Sequence, residues 1–399
     1  MGILVGGLLA MGATVAQREL VRRAGTRLID WEAVRGIARR RLGPHAAPLS
    51  RRERAEAEAF YRSALSRIEP EVQAEVGRRL PEALETPAVI DRLEWVDLNL
   101  ATFRALFGRV EHLLNEAAGA ADTPGRALAR IVNRAVGNQQ LGFLLAFLGR
   151  KVLGQYDVSL LAVGPAPRGR LHFVEPNITA TAAGLRIPLD DFRTFIALHE
   201  ATHAFEFEAH PWLRDHFAAL VAESVEQLAT DPGGLGRRVR QALAGHGSGH
   251  WLERIMSDAQ RSTFQRTQAL MSLLEGYSNH VMNAAGARIL PGFVALHERF
   301  ERRNERRSAI EQAIMRVTGL DLKMEQYAAG ERFVDAVLAA RGQAFLQRVW
   351  TGPEYLPTLD EIRTPAAWLA RVERLGAGTG QAGSGGPAPD ANLDEDRGA

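Results

Sequence analysis

Along most of the chain, apolar side chains return every three or four positions, the period of a helix with one buried face; only a short central stretch alternates as a strand does. Residues 17–80 read as basic amphipathic helices. Asp30 is placed to cap a helix starting at Trp31, and Ser50 with Glu53 gives a capping-box pattern opening a helix through Leu65. Over 87–110, Val89, Leu93, Trp95, Val96, Leu100 and Phe103 keep helical spacing with an aromatic core face, and 117–124 is a small-residue break. Residues 137–153 are strongly apolar and predict a buried central helix closed by Arg150 and Lys151. Residues 158–163 then read as a strand, 165–169 as a turn, and 170–178 as a strand broken at Pro176, together a short hairpin. A helix is predicted between Pro188 and Pro211, with Asp190 and Asp191 as caps and the second proline as the stop.

Further on, 218–268 alternates helix with glycine-rich loops at 231–236 and 245–250, and 270–282 is a second helix with Leu274, Tyr277 and Val281 on its apolar face. The mixed charges of 299–307 suit an exposed helix face, as do the arginine clusters at 39–41 and 51–54. A helix over 330–350 ends at Thr351-Gly-Pro353, and the last one starts at Thr364-Pro365. The fold class is therefore mainly α with a small β-hairpin or sheet before the 188–211 helix. Four regions are expected: an apolar N-terminal helix (1–28), a helical region (29–150), a main region (151–375) and a glycine-rich disordered tail (376–399). The apolar start falls short of the ~20 residues a membrane span needs. It also lacks a basic segment before the apolar run, so it reads as a packing helix rather than a signal peptide or membrane-surface anchor.

Composition narrows the chemistry. The 399 residues are 46% hydrophobic and 24% charged, as in a soluble globular protein, and 49 basic against 47 acidic residues leave a net charge of +2. No broad basic field is implied, so nucleic acid is not a favoured partner. With no cysteine, disulfides, thiolate metal sites and a cysteine nucleophile are excluded; any metal must use His, Asp or Glu, and a cytoplasmic location fits. The chain shows no internal repeat, phosphate loop or serine nucleophile elbow.

Within the 188–211 helix stands His199-Glu-Ala-Thr-His203. Phe192, Ile196, His199 and His203 share one face, so the two imidazoles project from consecutive turns, a spacing that suits two ligands of one Zn²⁺ with Glu200 beside them as general base. Apolar neighbours such as Ile196, Leu198 and Ala204 would bury these polar groups, and buried imidazoles need partners. Three sources compete for a third ligand. His210 would need the metzincin spacing, which requires Gly at 206 and His at 209, whereas the chain has Glu206 and Ala209. His246 and His250 lie in a glycine-rich loop without a rigid scaffold. Glu275 is the strongest candidate, an acid on the otherwise apolar 270–282 helix. With Asn279 one turn on, it resembles the gluzincin arrangement, in which a second-helix glutamate ligates zinc and a residue four later holds a ligand histidine.

Beyond these motifs the chain resembles the actinobacterial zincin-like metallopeptidases of type 2, a family also labelled as associated with deazaflavin-cofactor biosynthesis. The matching stretches include Glu94-Trp-Val96, Val152-Leu-Gly-Gln-Tyr-Asp157, Phe173-Val-Glu-Pro-Asn-Ile178, the His199 motif, Pro211-Trp-Leu-Arg-Asp-His-Phe217, Leu274-Glu-Gly276, His280-Val-Met282 and Arg332-Phe-Val-Asp335. The resemblance implies a mostly helical zincin with Zn²⁺ on His199, His203 and Glu275, and a peptidase acting on peptide or protein substrates. Glu200 would be its base, and Tyr277, His280 and Tyr327 candidate donors to the oxyanion. A strand at 171–175 is expected to pair with extended substrate. The family usually carries acids where this chain has Asn279 and Asn283. That difference keeps open a zinc-stabilised helical interaction protein with weak or no catalysis, and a third reading is a hydrolase of non-peptide amides.

Overall fold

The computed structural model describes residues 29–77, 86–117, 124–157, 170–230, 256–305 and 322–381. The readings of 1–28, the strand and turn at 158–169 and both glycine-rich loops lie outside them. In chain order the elements are α1 (Trp31–Leu42), α2 (Arg51–Val76), β1 (Ala88–Ile90), α3 (Arg92–Ala117), α4 (Pro124–Gly149), β2 (Gly154–Asp157) and β3 (Arg170–Val174). There follow α5 (Glu175–Leu185), α6 (Leu189–Ala209), α7 (Pro211–Thr230), α8 (Asp258–Ile289), α9 (Phe293–Glu305), α10 (Leu322–Arg341), α11 (Gln343–Leu346), α12 (Leu359–Arg363) and α13 (Pro365–Gln381). Among the described residues the fold is mainly helical with one small three-stranded sheet.

Local signals set the helix starts. Asp30 accepts from Ala33 N to open α1, and Ser50 with Glu53 closes a full capping box on α2. That helix runs past Leu65 to Val76 with Pro70 inside it, because Tyr61, Ile68 and Val72 keep its inner face buried. Arg54 is not on a solvated face: it donates to the Val89 carbonyl and pairs with Glu94 at 2.9 Å, fastening β1 to α2 and α3.

The sheet extends the hairpin reading: the consecutive strands β2 and β3 pair antiparallel, as expected, and a third strand joins them. Ala88–Ile90, read as helix, is a strand pairing parallel with β3, while β2 pairs antiparallel with β3's other side. The order β1-β3-β2 makes β3 central, so the expected substrate-pairing strand at 171–175 has both edges taken. Its chain does not continue extended to Ile178; α5 begins at Glu175, with Pro176 in the first turn, where a missing N–H costs nothing.

Two cores result. The larger is built from α2, the sheet, α6, α8, α10 and α13 around Phe173, Phe192, Leu273, Phe333 and Trp368. The smaller joins α1, α3 and α4 around Val34, Trp95, Val96 and Leu145, reaching the sheet through Val174. The apolar 137–153 stretch therefore lies in a peripheral helix with Phe143 exposed, not in a central one. The central helices are α6 and α8. The single helix read over 330–350 breaks at Gly342, whose φ of 77° is left-handed, and α13 carries helix on to Gln381, past the expected start of the tail.

One crossing positions the site. Helices α8 and α10 meet backbone to backbone at Gly276 and Gly330, where a Cβ on Gly330 would lie 3.3 Å from the Gly276 Cα and collide with the Ser272 carbonyl. Gly330→Ala should lower unfolding free energy in urea by about 1–3 kcal/mol, because a helix backbone cannot yield as a side chain does. An unchanged denaturation midpoint would refute this close contact.

Candidate metal centre

Most of α6 is buried: Phe192, Phe195, Ile196, Ala197, Leu198, Ala201 and Phe205 are all within the core. Its N-cap is Pro188, without a side-chain hydrogen bond; Asp190 and Asp191 lie in the first turn rather than capping it. At the far end His210 closes the helix and Pro211 starts α7, as the proline predicts. On this buried rod His199 and His203 remain only partly buried, their ring centroids 4.7 Å apart and nearly edge to face.

Glu275 comes from α8, whose start Ser257 and Gln260 fix with a second capping box. It is 7% exposed, and its carboxylate lies 3.7 Å from His203 Nε2. One ligand atom from each of His199, His203 and Glu275 falls within 4.8 Å of the others, a group that can hold one metal ion. His203 Nδ1 lies 2.9 Å from Glu206 Oε2, and His199 Nδ1 lies 3.2 Å from the Met282 thioether. Burial lowers the His203 pKa, but hydrogen bonding to Glu206 and Glu275 and their negative charges outweigh it, holding the imidazole well above its ordinary value. A field that draws a proton onto a buried ring also favours a metal cation beside it, so the donor set fits Zn²⁺ in chemistry as well as spacing.

Glu200 is 7% exposed and packs under β2: a Cβ built on Gly154 would sit 2.5 Å from its Cγ and Oε1. The other expected residues are more scattered. Tyr277 is 1% exposed, its ring edge-on to Trp350 at 5.0 Å, and its hydroxyl accepts from Gln347 Nε2 at 3.0 Å. Burial pushes its pKa up to about 12. His280 and Asn279 are partly buried, and Asn283 donates to Glu331 at 3.3 Å. At 3.6 residues per turn, Tyr277 and His280 sit about 200° and about 140° around α8 from Glu275. The Tyr327 side chain lies outside the described residues. His210 stacks on Trp350 at 4.8 Å with Nδ1 on the Glu206 carbonyl at 2.9 Å, apart from the metal group.

Sequence reasoning missed Glu206, Met282 and Gly154. For Glu206 there was a signal: it stands three residues after His203 on the same helix, a spacing that brings side chains together.

The model of the zincin-like metallopeptidase family matches residues 29–369, nearly the whole described chain, and the protein belongs to that family. Its structure is similar to the crystal structure of "a putative hydrolase with a novel fold" from Chloroflexus aurantiacus. The two share 40% sequence identity with a TM-score of 0.65, over 87% of this chain and 99% of that one. No curated protein matches. Among the described residues no helix is long and apolar enough to cross a membrane.

Proposed function

We propose that the protein is a zinc-dependent peptidase of the gluzincin type, holding Zn²⁺ on His199, His203 and Glu275 and using Glu200 as general base. The observation that carries this reading is the meeting of three ligand atoms from α6 and α8 within 4.8 Å, with Glu200 one residue from the first ligand. Bound there, the metal would lower the pKa of a coordinated water towards about 7 and polarise the scissile carbonyl. Glu200 takes the proton from the attacking water and passes it to the departing amine. Its burial beneath β2 limits its rotamers and keeps it beside the metal group.

Strand β2 supports a peptide as the substrate. Val174 N donates to Leu153 O at 2.8 Å, and with the Gly154↔Phe173 register this assigns the hydrogen-bonded pairs to Leu153, Gln155 and Asp157. The main-chain groups of Gly154 and Tyr156 therefore point away from β3, along the sheet's outer edge. An extended peptide added there would bond to Gly154 and Tyr156 and pass beside Glu200. Tyr277, tied to Gln347 and packed on Trp350, is read as a residue that shapes this end of α8.

The test is cleavage of a mixed-sequence peptide library. The zinc-loaded protein should hydrolyse peptide bonds, lose that activity to a chelator and regain it with added zinc. A fully zinc-loaded protein that cleaves nothing would instead favour the interaction-protein reading. Gly154→Ala should cut kcat by about 10²-fold with zinc content unchanged, since its Cβ displaces the Glu200 carboxylate. Wild-type turnover in that variant would remove β2 from the site.

A further inference from the structure

We infer that Glu206 is the positioning residue of the metal centre, fixing His203 with its proton on Nδ1 and its lone pair on Nε2. This rests on reading His199, His203 and Glu275 as a metal site. The two ring nitrogens of His203 face different carboxylates: Nδ1 lies 2.9 Å from Glu206 Oε2, and Nε2 lies 3.7 Å from Glu275 Oε2. A neutral imidazole carries one N–H, and a carboxylate accepts but does not donate, so Glu206 selects the tautomer that leaves Nε2 as a ligand. Negative charge on the N–H side also makes the ligating nitrogen a better donor.

The surroundings of Glu206 direct it to His203. It is 1% exposed, and its second oxygen, Oε1, is buried with no hydrogen-bond partner among the described residues. Its other oxygen, Oε2, faces His203 Nδ1, which is its hydrogen-bonded partner. Both residues sit on α6, three apart, so one helix pre-forms the pair before α8 supplies Glu275. The Asn279 expected to hold a ligand ring makes no such described contact; Glu206 takes that place on His203.

The second histidine is held differently. His199 Nδ1 faces the Met282 sulfur at 3.2 Å, and a thioether is a weak acceptor that neither fixes a tautomer firmly nor adds charge. The two imidazoles thus meet different groups at Nδ1, a carboxylate on His203 and a thioether on His199.

Zinc affinity measured by competition with a chromophoric chelator tests this, alongside the His203 Nδ1–H proton signal of the zinc-loaded protein by NMR. Wild type should bind one zinc and show that proton. Glu206→Ala should bind about 10–100-fold more weakly and lose it. Glu206→Gln is nearly isosteric and guards against failure of the alanine variant to fold. It should keep the Nδ1–H signal, because its amide oxygen still accepts, and fall between the two in affinity. Met282→Leu should lose less than about 10-fold, below the range that a firm hydrogen-bond partner of a ligand costs. Unchanged affinity in both Glu206 variants, or a Met282→Leu loss as large as that of Glu206→Ala, overturns the assignment while the metal site stands. A wild type that binds no zinc overturns the metal reading itself and this role with it.

Discussion

Glu200→Gln should bind zinc as tightly as wild type and hydrolyse peptides about 10²–10⁴-fold more slowly, the range over which a positioned general acid–base acts. The amide matches the carboxylate in size, so packing under β2 survives, and an α6 kept intact still presents both imidazoles. What disappears is a group able to take a proton from water and release it to an amine. Because the side chain is 7% exposed, solvent cannot readily substitute for it. Parallel measurement of kcat and of zinc content checks the prediction. Wild-type turnover in a zinc-loaded variant would assign the proton transfer to another residue.

Glu275→Ala should have two effects. Zinc affinity should fall by more than the about 10–100-fold that loss of an outer hydrogen-bond partner costs, and peptidase activity should go with it. Both imidazoles come from a single face of α6, and Glu275 is the group that closes the set from α8. The metal-free protein should also be less stable than wild type in urea, because the substitution takes away the carboxylate that faces His203 Nε2 at 3.7 Å and leaves that buried ring without its charge partner there. Chelator competition and denaturation of the metal-free form read the two effects separately. A variant that keeps tight zinc binding would show that Glu275 is not a ligand.

Much of this site was legible because its decisive spacing is local. His199 and His203 stand four apart on a segment bounded by prolines, which fixes both the helix and the face. Glu275 stood out as an acid in an apolar pattern, a signal of chemistry that needs no knowledge of the fold. Glu206 is as local, three residues beyond His203, and that spacing on one helix is enough to mark it as a residue able to hold the ring, whereas Asn279 stands on a different helix from both histidines. Long-range partners were not legible. Ala88–Ile90 pairs with residues more than eighty positions away, and three apolar residues beside a helical run carry no mark of that partner. Gly276 and Gly330 look unremarkable in their own helices; only their meeting shows why neither has a side chain. The apolar run at 137–153 overstated burial because composition alone does not say which face is covered, and Phe143 is exposed.

Zinc-edge X-ray absorption on the zinc-loaded protein, with metal content per chain, tests the joining of α6 and α8 through one ion most directly. One zinc per chain is expected, with two imidazole nitrogens and carboxylate oxygen at about 2.0–2.2 Å, and the oxygen contribution altered in Glu275→Ala. A zinc shell without imidazole scattering, or no zinc retained at stoichiometry, would contradict it.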